Sequence, residues 1–448
     1  MSTSSFDCTS NLDLINNLDQ NASNISNQRP NLDVLDFDST LWRLLISASK
    51  KSPDFLTDQF SISAEVVSKL ARSSYKIIDS LASGVIICFR LNSDESEALD
   101  FLSNNTSTDL FYSELDLSSF SNFESLYCFD SSYWLLLKRI AQKDHRIAST
   151  VFSVSLELAQ AVSQSSDSML RYLAKNVKSS FALRFSSDLL SEIIDKPDDT
   201  LLLLKKYQQC ISSPFVSPVH FNKTAPNKTI QKDDSDHEDC CDQKESCYFS
   251  SRLIARQLAL MGYVTKIIIL ETGLSDKALR CVYSELQKEG HEIGKNRNSR
   301  NTRSSATLLS NQSSKIHASI LMQLYYKIAG DSIYRSISIK ALERAFRMYK
   351  ALIYEISSSS CSDRSMIRSC FTIADAWCLA FELRTENAMI NLCDKCNVSY
   401  FTSVNQSTMI DCPFCHEPSA PKSYHKCLIK KPRKTVYKGL IQGSDSRV

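Results

Sequence analysis

The sequence predicts a mainly α-helical protein: two tandem small helical units, then a larger helical unit that ends in a four-cysteine ribbon. Three observations predict it. The 448 residues include only 8 Gly and 10 Pro, whereas strand-rich folds need many more turn residues. Residues 42–91 return at 134–183 at a constant shift of 92 and without a gap, with 15 identities in 50 positions, which marks a duplicated folding unit. Cys393-Asp-Lys-Cys396 and, fifteen residues later, Cys412-Pro-Phe-Cys415 form two thiolate knuckles. The implied organisation is a leader (1–39), two small units (40–128 and 129–210), a linker (211–247), a helical domain (248–390), the ribbon (391–420) and a tail (421–448).

The leader carries Asp7, Asp13, Asp19, Asp33, Asp36 and Asp38 against a single Arg29, too acidic and too poor in apolar residues to fold alone. It has no basic and apolar signal segment, and no apolar run approaches the ~18 residues of a membrane span. A soluble, cytoplasmic protein with no membrane partner is therefore expected. Hydrophobic residues make up 43%, enough for real cores.

Each repeat reads as a helix, a turn and two short helices. In the first copy Leu44, Leu45 and Ala48 stripe the opening helix, which breaks before Pro53. Ser63 is placed to cap a helix through Val66, Val67 and Leu70, and Arg72-Ser73-Ser74 makes a short turn before Ile77, Ile78 and Leu81. This is the outline of a helix-turn-helix or of an ordinary helical hairpin. Val85 to Leu91 has β-branched character and predicts a strand. Trp42 meets Trp134, and Phe60-Ser-Ile-Ser63 meets Phe152-Ser-Val-Ser155. No unit holds an acid–base pair or a nucleophile with a positioned base, so no enzyme is expected. In the linker, Asp233 to Glu245 is acidic and solvated in character, and His237, Cys240, Cys241 and Cys247 fit no closed tetrahedral site.

Beyond the linker, Leu253, Ile254, Leu258, Met261, Ile267, Ile268 and Leu270 predict one long buried helical face ended by Thr272-Gly273. Ser275 caps the next helix, whose Leu279, Val282, Tyr283 and Leu286 face inward while Lys277, Arg280 and Lys288 face out. This is a second helix-turn-helix candidate, against a plain helical corner. Arg297, Arg300 and Arg303 follow in an Asn/Ser-rich loop that can track phosphates. Residues 315–356 and 363–390 read as further helices, with Trp377 packed on the base of the ribbon.

Cys393, Cys396, Cys412 and Cys415 have zinc-ligand spacing, and four thiolates leave no open position, so one structural Zn²⁺ per chain is expected; a disulfide pair is the alternative. The tail beside them contains Lys430, Lys431, Arg433 and Lys434, which favours a polyanionic partner.

These residues carry a resemblance. Trp134-Leu-Leu-Leu-Lys-Arg-Ile140 with Phe152-Ser-Val and Leu173-Ala, and in the first copy Phe60-Ser-Ile-Ser-Ala64 with Leu81 to Arg90, resemble FlhD. Arg256-Gln-Leu-Ala-Leu260, Glu271-Thr-Gly-Leu-Ser275, Tyr283-Ser-Glu-Leu286, His317-Ala-Ser319, Ala374-Asp-Ala-Trp377 and the four cysteines resemble FlhC. The two are the subunits of the bacterial flagellar master regulator. The resemblance implies two FlhD-like units fused to one FlhC-like unit. It implies a transcriptional activator that binds double-stranded promoter DNA and recruits RNA polymerase. The family joins four FlhD-like subunits with two FlhC-like subunits, so a homodimer of this chain restores the complement. A strand cysteine that can pair between FlhD subunits is matched by Cys88, but the second copy has Ser180. The competing reading is a zinc-stabilised interaction protein that has kept the assembly surfaces without DNA contact.

Overall fold

The first helix among the described residues, α1 (Leu32–Lys51), buries Val34, Phe37, Leu41, Trp42, Leu45 and Ile46 along one face, the stripe of an amphipathic helix. It is followed by α2 (Pro53–Phe60), α3 (Ala64–Arg72), a 3₁₀ turn (Tyr75–Ile77), α4 (Ile78–Leu81), β1 (Phe89–Leu91) and α5 (Glu95–Asn104). Proline opens α2, where a missing N–H costs nothing. The computed structural model describes residues 28–51, 53–60, 62–92, 94–104, 124–177, 181–213, 241–291, 302–358, 370–408 and 410–415. The expectations for residues 1–27, the linker stretch 214–240 and the tail from 416 lie outside them.

The second unit runs in the same order: α6 (Glu124–Lys143), α7 (His145–Phe152), α8 (Leu156–Gln164), α9 (Asp167–Asn176), β2 (Phe181–Leu183) and α10 (Ser187–Asp195). Shifted by 92, the bounds of α1, α2, α3 and β1 become those of α6, α7, α8 and β2. The likeness extends upstream of the aligned window, where Phe37-Asp38-Ser39 returns as Phe129-Asp130-Ser131 and both aspartates are buried.

The two units are joined by a local two-fold. β1 and β2 pair antiparallel as Phe89↔Leu183, Arg90↔Ala182 and Leu91↔Phe181. Arg90 and Ala182 are equivalent positions, and the outer pairs exchange under the shift, so the register is symmetric about them. That is the geometry of an isologous contact, here within one chain. The outer helices cross over in the same sense: α5 packs on α8 and α9 of the second unit, and α10 packs on α3 of the first. Lys69 ties the second of these contacts, reaching Ser191 and Asp195 at 2.7 Å each.

The strand is shorter than the expected 85–91 because polar groups hold the backbone before it. Buried Asp38 accepts from the N–H groups of Ser83 and Cys88 at 2.9 and 3.0 Å, and Ser83 Oγ accepts from Val85 and Ile86. Burial pushes the Asp38 carboxyl up, with neighbouring Cys88 adding to it. Cys88 is fully buried and its thiol donates to the Leu81 carbonyl; Ser180 lies outside the described residues. In the first unit the helix after the Arg72 turn shrinks to the 3₁₀ turn and four-residue α4, with Ile77, Ile78 and Leu81 buried. It is too short to lie along a DNA groove, and the hairpin reading fits it.

After α11 (Thr200–Ser212) come α12 (Cys241–Met261), α13 (Thr265–Thr272), α14 (Asp276–Lys288), α15 (Ser305–Leu308) and α16 (Gln312–Ala329). A 3₁₀ turn (Gly330–Tyr334) then leads to α17 (Ile339–Ser358), α18 (Ile373–Arg384), β3 (Ala388–Leu392) and β4 (Ser399–Ser403). The expected single helical face over 253–270 is broken. Gly262 takes φ +90°, and Tyr263 N–H donates back to the Leu258 carbonyl, a glycine-type helix stop. Ile254 and Leu270 consequently stay exposed. The expected helix 315–356 is divided at Gly330, and 388–392 is a strand rather than the end of a helix.

The described residues up to Phe414 form one compact unit. Glu355 of α17 accepts from Ser83 Oγ, Gly84 N–H and Tyr207 OH at 2.8, 2.6 and 2.8 Å, joining the first repeat and α11 to the C-terminal part. Arg146 donates to the Ile328 carbonyl at 2.7 Å, and Arg344 pairs with Asp144. No helix among the described residues is long and apolar enough to cross a membrane.

Lys327 of α16 donates to the Ser213 carbonyl at 2.8 Å. Burial, and after it the nearby Arg184, lower its pKa to about 8 from 10.5. The folded state therefore binds fewer protons than the unfolded one between those values, so stability rises with pH across that window and is lowest below it. The expected gain is about 3 kcal/mol at about 1.4 kcal/mol per pH unit. Melting the wild type and Lys327→Met from pH 7.5 to 10 checks this: the wild type should gain stability relative to the variant as pH rises.

Candidate metal centre and helix-turn-helix

The ribbon is a hairpin whose strands pair in register from Ala388↔Ser403 to Leu392↔Ser399. Its turn is the first knuckle. Asn397 adopts φ +51°, a left-handed conformation that asparagine tolerates, and its N–H donates to the Cys393 carbonyl while Cys393 N–H donates to Val398. This folds Cys396 back over Cys393. The second knuckle lies beyond β4, anchored by buried Phe414 and by Gln312 Nε2 donating to the Pro413 carbonyl at 2.8 Å.

The sulfur atoms of Cys393, Cys396, Cys412 and Cys415 all lie within 4.8 Å of one another, with Cys396 and Cys412 3.6 Å apart. A zinc–sulfur bond of about 2.3 Å gives tetrahedral edges of about 3.8 Å, so the donor set and its spacing fit a tetrahedral thiolate site. The hydrogen bond with Cys396, and then burial, push the Cys412 thiol well up; a bound dication opposes this by favouring thiolates. With four sulfurs filling the sphere, a metal here supplies rigidity rather than a reactive position.

Side chains from both halves of the molecule seat the ribbon. Gln209 of α11 donates to the Cys396 carbonyl at 3.2 Å, and Gln208 to Ser399 at 2.6 Å. Ser319 Oγ of α16 accepts from Phe401 N–H. Nothing in the sequence flags these glutamines, because uncharged amides carry no pattern. Trp377 stacks on Phe381 and donates to Glu271 of α13 at 2.7 Å, so it braces α13.

That second element is built on α12, against which both α13 and α14 pack. α13 ends at Gly273, φ +69°, where a side chain is disfavoured. Leu274 turns inward, and Ser275 caps α14 by accepting from Ala278 N–H. Leu279, Val282, Tyr283 and Leu286 are buried, while Lys277, Arg280, Cys281, Ser284 and Lys288 form an exposed outer face. Two helices joined by three residues, the second with a polar outer face, have the outline of a helix-turn-helix. Ion pairs of Arg252 with Glu285 and Arg256 with Glu289 clamp α14 to α12.

Of the other basic residues singled out, Arg303 forms a bidentate pair with Asp375. Asp375 also accepts from Thr372 N–H to complete the capping box of α18. Arg297, Arg300, Lys430, Lys431, Arg433 and Lys434 lie outside the described residues.

Residues 249–427 match the family model described as flagellar transcriptional activator (FlhC). No curated protein and no solved structure matches the chain. The matched stretch contains both the helix-turn-helix and the four cysteines. The C-terminal part of the chain is therefore FlhC-like, and that family is one of transcriptional activators, not of enzymes.

Proposed function

We propose that the chain is a DNA-binding transcriptional activator of flagellar genes, acting in the cytoplasm and recruiting RNA polymerase. The observation that carries this reading is the helix-turn-helix with its exposed Lys277 and Arg280, inside the FlhC-matched stretch. In such an element the second helix enters the major groove with its N-terminal residues toward the base edges. Arg297, Arg300 and the tail residues Lys430, Lys431, Arg433 and Lys434 add phosphate contacts, and Arg303 is held at the loop's end by Asp375. The cysteine quartet binds one Zn²⁺ that fixes the ribbon.

The two N-terminal units are FlhD-like, and the local two-fold between them supports reading them as a dimer written into one chain. Two chains then supply four FlhD-like and two FlhC-like units, with paired reading helices facing a dyad-symmetric site. Capture of sheared genomic duplexes by the purified chain, read by sequencing, tests the proposal. A small set of enriched fragments is expected, weakened at least about tenfold by Lys277→Gln with Arg280→Gln. No enrichment over random fragments would favour the interaction-protein reading instead.

A further inference from the structure

We infer that the first repeat carries a second DNA-phosphate surface, built from Arg43, Lys50, Lys51, Arg72 and Lys76, at positions where its twin keeps one cation; this rests on the DNA-binding reading above. All five side chains are exposed. None takes part in an ion pair among the described residues, unlike Lys69, Lys138 and Arg139 of the same two units. They converge on one end of the unit: Lys50 and Lys51 close α1, Arg72 closes α3, and Lys76 follows in the 3₁₀ turn. The Lys50 ammonium sits 5.1 Å from the centre of the exposed Tyr75 ring, a cation–π contact that positions it. Arg43 lies two turns earlier on the Lys50 side of α1, extending the surface by about 10 Å.

The plain explanation for such charges is complementarity to helix C-termini. It accounts for Lys50, Lys51 and Arg72. It does not account for Arg43, which is mid-helix, or for Lys76, which sits at the start of a helical turn, where a cation is unfavourable.

The repeat supplies its own control. At the positions equivalent to Arg43, Lys50, Lys51, Arg72, Tyr75 and Lys76, the second unit has Leu135, Gln142, Lys143, Gln164, Asp167 and Ser168. Five cations have become one, and Asp167 there is neutralised by Lys138. The cations are thus placed differently in the two copies: Asp54 and Asp79, which border the basic end of the first, are Arg146 and Arg171 in the second. Exposed cations spread over such a distance, with no ion pair among the described residues, match successive backbone phosphates of a duplex, which specify no sequence but hold the protein in register.

The test is the salt dependence of binding to a random-sequence DNA duplex by the full chain. Its arms are the wild type, a variant with Arg43, Lys50, Lys51, Arg72 and Lys76 changed to Gln, and a control with Lys143, Arg171 and Lys175 changed to Gln. Thermal melts verify that each variant is folded. Each phosphate contact contributes about 0.9 to the negative log–log slope. The first-repeat variant should lose about 0.9 per contact removed, and the control should keep the wild-type slope. An unchanged slope in the first-repeat variant, or an equal fall in the control, overturns this surface while leaving DNA binding itself in place. A wild type that binds no duplex at any salt overturns the DNA-binding reading and this surface with it.

Discussion

Replacing Cys412 by Ser is expected to abolish metal binding at the four-cysteine site and unfold the ribbon. Structural zinc sites contribute on the order of 10 kcal/mol of folding free energy, and three thiolates cannot close the tetrahedron. The loss should not stay local. Gln208 and Gln209 of α11, Gln312 and Ser319 all hydrogen-bond to ribbon backbone, so its unfolding strips partners from helices of both halves. Metal analysis should find less than one zinc per chain, with a lower melting temperature and lower solubility, and a strong chelator should reproduce the effect in the wild type. Stoichiometric zinc with unchanged melting in the variant would contradict the assignment of Cys412 as a ligand.

Arg184→Ala is expected to be the most damaging substitution in the N-terminal half. The guanidinium is buried and donates to four carbonyls: Cys210 at 3.0 Å, Ile87 at 2.9 Å, Val151 at 2.7 Å and Thr150 at 3.2 Å. These carbonyls belong to the first repeat, the end of α7 and α11, so a single side chain fastens three segments. Truncation leaves the acceptors without that donor and opens a cavity, a combination costing roughly 3–5 kcal/mol. Chemical denaturation should show a matching loss. Arg184→Lys should recover only part of it, because an ammonium cannot span the planar fork.

The repeat was legible because its identities fall on core positions such as Trp42 and Trp134, both fully buried. Its upstream extension, Phe37-Asp38-Ser39, was equally present in the sequence but fell outside the aligned window. The turn between α13 and α14 was legible from Gly273 and Ser275, whose conformational roles leave few alternatives. Helix breaks were harder to see: apolar spacing continues across Gly262, so periodicity alone predicts one helix where the chain makes two. Arg184 was invisible for a different reason. Its counterpart in the first unit is Asn92, so the duplication gives no hint of it, and a polar residue reads as surface until its partners are placed. Glu355 was hidden likewise, since its three donors lie about 150 and 270 residues away along the chain.

The affinity of the intact, zinc-loaded chain for duplex DNA, measured from 50 to 300 mM salt, bears most directly on whether this molecule is a DNA-binding regulator. Counterion release predicts a straight log–log decline of about 0.9 per phosphate contacted, with captured genomic sites retaining tighter binding than random duplex at every salt. Absence of binding at the lowest salt, or binding without salt dependence or sequence preference, would contradict it.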